Sequence, residues 1–201
     1  ITTMANVTTA LPMNSILCDY LMFYPFIDEG STDEQFMINS TSLSRYTDGK
    51  GVQIMPVITN AGTGGQRFFV NYTNSDGVSG RISQTVTQNT STAVGAIMGS
   101  NTAIVNASNP FIGLQSGDSG VRSIESVTML GPDTGLFALV PVKPLVQTCF
   151  REVTVPYEKD FLVPTTDVVK IYDDAFLSFL TLPMGSLAAT VLRGDIKVIW
   201  T

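Results

Sequence analysis

Arg67-Phe68-Phe69-Val70-Asn71-Tyr72-Thr73, Asn74-Ser75-Asp76-Gly77-Val78-Ser79-Gly80 and Arg81-Ile82-Ser83-Gln84-Thr85-Val86-Thr87 run on without interruption, and their reading decides the fold. In the first segment Phe68, Val70 and Tyr72 recur at period two, so an extended chain sets them on one face. The second segment is all turn chemistry: Gly supplies positive φ, and Asn, Asp and Ser hydrogen-bond nearby backbone. In the third, Ile82, Gln84 and Val86 alternate with Ser83, Thr85 and Thr87. The whole predicts a β-hairpin from Gln66 to Thr87.

A second hairpin is expected from Gly120 to Val142. Val121 to Leu130 is its first arm, and Gly131-Pro132-Asp133-Thr134-Gly135 is its turn. Leu136-Phe137-Ala138-Leu139-Val140 is its second arm, a continuous apolar run suited to a strand buried on both faces. Pro141 and Pro144 are expected to end it.

Further strands are expected at Leu21–Ile27, Val52–Thr59, Thr102–Asn106, Arg151–Val155, Val168–Tyr172 and Ala189–Trp200. The last is interrupted by Arg193-Gly194-Asp195, read as a bulge or tight bend rather than an integrin-binding tripeptide. One short helix is expected from Asp173 to Leu182, capped by Asp173 or Asp174 and stopped by Pro183. Many short strands and few helices predict an all-β fold, a sandwich or jelly roll with at most one or two short helices. Residues 1–201 read as a single β domain. The Thr-, Ser-, Asn-, Gly- and Ala-rich stretch 85–108 reads as an exposed arm or loop, or a lightly packed edge hairpin.

Composition narrows the chemistry. The 201 residues include no histidine, so no Ser-His-Asp triad exists despite Gly117-Asp118-Ser119-Gly120, a tetrapeptide that surrounds the nucleophile in trypsin-like proteases. That segment reads as a turn. Charged residues are 14% of the chain, against about 25% in ordinary soluble proteins. Residues 51–150 carry only Arg67, Arg81, Arg122, Lys143, Asp76, Asp118, Glu125 and Asp133. The surface of that half must be solvated by hydroxyls and amides, or covered by neighbours. Net charge is −6, with no cluster of Lys and Arg, which argues against nucleic-acid binding.

The remaining candidates have bland readings. Cys18 and Cys149 each adjoin apolar residues and read as buried free thiols. With no histidine, two cysteines cannot complete a zinc site. Asp28, Glu29, Asp33 and Glu34 are oxygen ligands of the kind Ca²⁺ takes, but their spacing is not that of an EF-hand, and they read as a solvated acidic loop. Asp173-Asp174 reads as a cap or turn rather than half of a catalytic carboxylate pair. Gly62-Thr63-Gly64-Gly65 lacks the Lys-Ser/Thr of a phosphate-binding loop. Sequons at Asn6, Asn39, Asn71, Asn89 and Asn106 are expected by chance in so Asn- and Thr-rich a chain. The longest apolar stretch, Tyr20 to Ile27, is far short of the ~20 residues of a membrane span. The start, Ile1-Thr2-Thr3, has no basic region of a signal peptide. No catalytic, cofactor or metal residue is expected.

Two blocks carry a resemblance. Asn71-Tyr72-Thr73-Asn74-Ser75-Asp76-Gly77-Val78-Ser79-Gly80-Arg81 resembles a segment common in structural proteins of tailed bacteriophages. Asn109-Pro110-Phe111-Ile112-Gly113-Leu114-Gln115-Ser116-Gly117-Asp118-Ser119-Gly120-Val121-Arg122-Ser123-Ile124-Glu125-Ser126-Val127 does so too. The resemblance covers roughly residues 20–145. It implies a non-enzymatic virion protein, assembled in the host cytoplasm, with head decoration, head–tail region and tail all open as its place. It brings no catalytic residue, and it names a major capsid protein or adjoining virion protein as partner. Together with the charge-poor surface it leads to a capsid decoration or cement protein. A homo-oligomer is expected, with a trimer the expected order because capsid lattices offer threefold positions. The alternative is a phage surface module binding host glycans, with Tyr72 or Tyr46 exposed to stack on sugars.

Overall fold

A computed structural model describes residues 2–5, 11–37, 42–88, 93–98, 110–160, 169–185 and 191–199. Its strands are β1 (Thr2–Ala5), β2 (Met13–Tyr20), β3 (Tyr24–Asp28), β4 (Gln35–Phe36), β5 (Gln53–Asn60), β6 (Arg67–Asn74), β7 (Arg81–Ile82), β8 (Val86–Thr87), β9 (Val121–Met129), β10 (Leu136–Phe150), β11 (Tyr157–Glu158), β12 (Leu177–Pro183) and β13 (Leu192–Asp195). The described residues contain no helix, and the fold is all-β. The chain divides into two compact units, Tyr20–Lys143 and the pair of segments Ile1–Asp19 with Pro144–Thr201. No Gly- or Pro-rich linker marks the division, and its second boundary falls inside β10.

The unit Tyr20–Lys143 is a sandwich of two antiparallel sheets. In one sheet β10 pairs with β3 and with β5. In the other the order is β4-β9-β6-β7, with β8 also on β6. The first predicted hairpin is present: Asn71 lies opposite Ile82 and Phe68 opposite Val86. Its period-two face, Phe68, Val70 and Tyr72, is fully buried, as are Tyr24, Ile27, Ile54, Ile124, Val127, Phe137 and Leu139. The rings of Phe68 and Phe137 meet across the core at 4.9 Å, tilted by 42°. Burial of one such side chain contributes about 1.5–3 kcal/mol.

The second predicted hairpin does not form. Its arms are β9 and β10, and they belong to different sheets: β9 pairs with β4 and β6, β10 with β3 and β5. Both arms are apolar on the inner face, and facing each other across the core buries both faces at once. Pro141 and Pro144 do not end β10, which continues to Phe150. The carbonyl of Pro141 accepts from Leu21 N at 3.0 Å, on the β3 side, where the ladder has already stopped at Leu139. A strand residue's N–H points the same way as its C=O, so the missing donor falls on that side, and the ladder with β5 runs on through Pro141↔Ile54 to Val142↔Gln53. The expectation of Leu136 to Val140 buried on both faces holds in part: Phe137, Ala138 and Leu139 are buried in succession, while Leu136 and Val140 are half-buried.

Stretch 85–108 is described in two parts, and both pack on the sandwich. Val86 and Gln88 are buried beside β6, and Met98 is buried in the core. Residues 95–98 line β5, with Ile58 N donating to Ala96 O and Met98 N to Pro56 O, both at 2.9 Å. β5 is thereby covered within the chain. The strand expected at Thr102–Asn106 lies outside the described residues, as do the sequons at Asn6, Asn39, Asn89 and Asn106.

In the other unit β1 pairs with β11 and β13, and β2 pairs with β12. The expected helix at Asp173–Leu182 is replaced by a turn at Asp173-Asp174 and by β12, which pairs with β2 from Leu177↔Asp19 to Pro183↔Met13. A stretch rich in Leu, Phe and Thr suits a strand as well as a helix, and the edge of β2 supplies the partner that decides it. Arg193-Gly194-Asp195 is not a bend either; it pairs in register with Thr2 to Met4. Only Leu192–Asp195 of the expected strand Ala189–Trp200 is a strand among the described residues. The stretch Arg151–Val155 turns instead of extending, with Thr154 at φ 59°. The described part of Val168–Tyr172 carries no strand. Cys18 is buried and Cys149 half-buried, and both are free thiols. Burial pushes the Cys18 thiol up to about 12, so it is inert as a nucleophile.

Candidate functional site

The two resembling blocks meet in space, and Asp118 is where they join. Gly117 adopts φ 92° in a turn closed by Asp118 N donating to Gln115 O at 3.0 Å. The turn predicted for Gly117-Asp118-Ser119-Gly120 is therefore present, but the Asp118 side chain does not serve it locally. It reaches the hairpin β6-β7. Tyr72 OH donates to Asp118 Oδ2 at 2.6 Å, and Asn74 Nδ2 to Oδ1 at 2.8 Å. Arg81 adds a fork, Nε to Oδ2 at 3.0 Å and Nη2 to Oδ1 at 3.1 Å. The Tyr72 oxygen in turn accepts from Gln115 N at 2.8 Å.

Each partner is placed by its own element. Tyr72 comes off the inner face of β6. Asn74 ends β6 and caps the following turn, its Oδ1 accepting from Asp76 N and Val78 N at 3.0 and 2.9 Å. Arg81 opens β7. The Asp118 side chain is 4% exposed, and the Arg81 fork, followed by the Tyr72 and Asn74 donors, outweighs burial and holds its carboxyl down at about 2. Burial and the Asp118 hydrogen bond push the Tyr72 phenol up to about 12. A carboxylate that stays ionised near neutral pH with every lone pair engaged is a clamp, not a general base. Ser119 Oγ lies 2.9 Å from Ser75 Oγ, a second hydroxyl rather than a base.

A second carboxylate clamp sits at the glycine loop. Asp133 Oδ2 accepts from Gly64 N at 2.7 Å, and Oδ1 accepts from Thr63 N at 3.3 Å and from the Thr63 hydroxyl. Burial opposes the Asp133 charge, but these donors and Thr134 N leave the carboxyl below its ordinary range. The loop Gly62-Thr63-Gly64-Gly65 thus offers backbone N–H groups to an anion, and the anion is the chain's own Asp133.

The acidic quartet does not form one site. Glu34 Oε1 accepts from Asn71 Nδ2 and Ser126 Oγ at 3.2 and 2.5 Å. Asp28 Oδ1 accepts from Gly30 N, and Asp33 is exposed. Glu29 is not solvated as expected: it is 2% exposed, and its Oε1 lacks a hydrogen-bond partner, as do both polar atoms of the Gln88 side chain. Burial raises the Glu29 carboxyl to about 7, against a lowering influence from Gln88, with Asp133 and Asp28 raising it further. Among the described residues, no three Asp, Glu or Cys side chains are placed to hold a metal ion.

The aromatics named for sugar stacking are not free platforms. Tyr72 is fully buried, because its face of β6 is the core face. Tyr46 is half-buried, with Lys143 Nζ 5.5 Å above its ring. The exposed large side chains lie elsewhere. Phe23, Phe26 and Phe36 stand out around β3 and β4, and Phe176 and Met184 flank β12. Phe26 is 78% exposed and takes φ 61°, a conformation costly for an aromatic residue. Sequence reasoning missed both the Asp118 clamp and these phenylalanines. No spacing rule links Asp118 to residues 37 to 46 positions away, and period-two patterning did not mark Phe26 as outward.

No protein-family model, no curated protein and no solved structure matches the chain. Among the described residues, no helix is long and apolar enough to cross a membrane.

Proposed function

We propose that this chain is a non-enzymatic structural protein of a tailed-bacteriophage virion, a capsid decoration or cement protein that stabilises the particle through β-rich contacts. The observation that carries the reading is the pairing of locked polar groups with bare apolar edges. In the two resembling blocks Tyr72, Arg81, Asp118, Arg122 and Glu125 spend their side chains on internal hydrogen bonds, whereas Phe26 and Phe36 on edge strands face outward. Isolated exposed apolar residues need no explanation, but Phe26 is held outward at the cost of backbone strain. Such side chains suit anchors in a partner's pocket. The charge-poor surface of residues 51–150 and the phage-like blocks support the same reading. The partner is a major capsid protein or an adjoining virion protein, and the chain itself is a homo-oligomer.

The test is a phage lacking this protein. Its particles assemble, but lose integrity at lower temperature or on dilution into low ionic strength, and purified protein added back restores them. Deletion particles of unchanged stability, together with a purified protein that ignores them and binds host glycans, overturn the cement reading.

A further inference from the structure

β13 is exposed along its whole length. Every residue from 191 to 199 is exposed, and five of these nine are the large aliphatics Val191, Leu192, Ile196, Val198 and Ile199. β13 closes one edge of its three-stranded sheet, with β1 on one side and no strand on the other among the described residues. An apolar edge of this kind is a template for another strand.

The order of side chains says which strand. In β13 Leu192 and Gly194 share one face and Arg193 and Asp195 the other; Ile196 and Lys197 follow the strand's end and join these faces where pairing extends it. Two copies laid antiparallel about Gly194 place Arg193 of each opposite Asp195 of its mate. The same register sets Leu192 opposite Ile196, twice. Both oppositely charged pairs and both apolar pairs are cross-strand neighbours, the contacts that stabilise a sheet. Centring on Arg193 or on Asp195 instead puts like charges face to face. Gly194 at the axis keeps the crowded centre open. The arrangement is self-complementary, as a twofold contact must be.

We propose that β13 is a self-association surface, pairing antiparallel with β13 of a second copy about Gly194 and joining two three-stranded sheets into one. This inference stands apart from the virion reading, since it concerns the purified chain alone.

Sedimentation velocity over a concentration series tests it, on wild type, Arg193→Asp, Asp195→Arg, the double exchange Arg193→Asp with Asp195→Arg, and Lys197→Asp. All three positions are exposed, and circular dichroism verifies the fold of each variant. Wild type associates reversibly. Each single exchange at 193 or 195 puts like charges opposite each other twice and weakens association about tenfold or more. The double exchange regains it, and so does an equimolar mixture of the two single variants. Lys197→Asp, opposite Val191, stays within about threefold of wild type. A monomeric wild type overturns the proposal. So do single variants that associate like wild type, or a mixture that fails to recover. A pair that forms while particles ignore the protein sinks the cement reading and leaves this one standing.

Discussion

Arg81 grips Asp118 through two parallel hydrogen bonds of 3.0 and 3.1 Å, across 37 residues of sequence. A guanidinium fork matches a carboxylate in a way a lysine cannot. The relationship ties a loop before β9 to the hairpin β6-β7, and it fixes the junction of the two resembling blocks.

Replacing Asp118 with Ala strands the donors of Tyr72, Asn74 and Arg81 together. Breaking hydrogen bonds to a charged group of this kind costs about 3 kcal/mol. Arg81→Lys keeps the charge, loses the fork and costs less than removing the carboxylate. Urea unfolding of the three proteins measures both.

The same clamp sets an acid limit. The carboxyl of Asp118 is held at about 2, below its ordinary 3.8. Its stabilisation is complete above pH 3.8 and disappears as pH falls through 2. The stability gap between wild type and Asp118→Asn is therefore full at pH 5 and shrinks steadily between pH 4 and 2. A gap of constant size over that range would show that Asp118 is not the titrating group.

Glu29 acts in the opposite direction. Its carboxyl is raised from 4.5 to about 7, so the folded state prefers it neutral. Its contribution is complete below pH 4.5 and is lost as pH rises through 7. Glu29→Gln keeps the shape without the charge. It should melt a few degrees above wild type at pH 8.5 and together with it at pH 4, as differential scanning calorimetry can establish.

Two glycines of one turn should respond very differently. A methyl group on Gly120 falls onto the carbonyl oxygen of Gly49 and within 2.7 Å of Gly51 N, both backbone atoms that cannot swing away. Gly120→Ala should cost more than about 3 kcal/mol. Gly117 has open space around it, and Gly117→Ala meets only the strain of φ 92°, about 1–2 kcal/mol. Equal losses would mean that the close approach at Gly120 does not exist.

Ser119 provides a chemical test. Its hydroxyl lies 2.9 Å from the hydroxyl of Ser75. Ser119→Ala should cost less than about 1 kcal/mol and leave particle binding unchanged. Hydrolysis of a peptide, ester or glycan that vanishes in this variant would make the chain an enzyme.

Local pattern carried much of the fold and little of the site. The hairpin β6-β7-β8 was legible because Phe68, Val70 and Tyr72 alternate and the turn residues are unmistakable. The strands β9 and β10 were legible singly, but their separation into two sheets was not. A loop with Gly-Pro-Asp-Thr-Gly joins a hairpin or a sheet crossover equally well, and the choice is made by which apolar faces meet. The segment Asp173–Leu182 has apolar spacing that fits both periods, and β2 settles it. Asp118 read as a turn residue because the turn is local, whereas its charge partners are remote. Glu29 read as solvated because three other acids surround it in sequence, while its backbone is drawn in by Gly135 and Asp133.

The central claim is a proposed place in the virion, and the most direct measurement is electron microscopy of purified phage particles, searched for this protein. The account predicts density for the 20–143 sandwich at regularly repeated positions on the particle, with Phe26 buried against a neighbouring subunit. Its absence from purified particles, or its presence there with Phe26 facing solvent at every copy, would contradict the account.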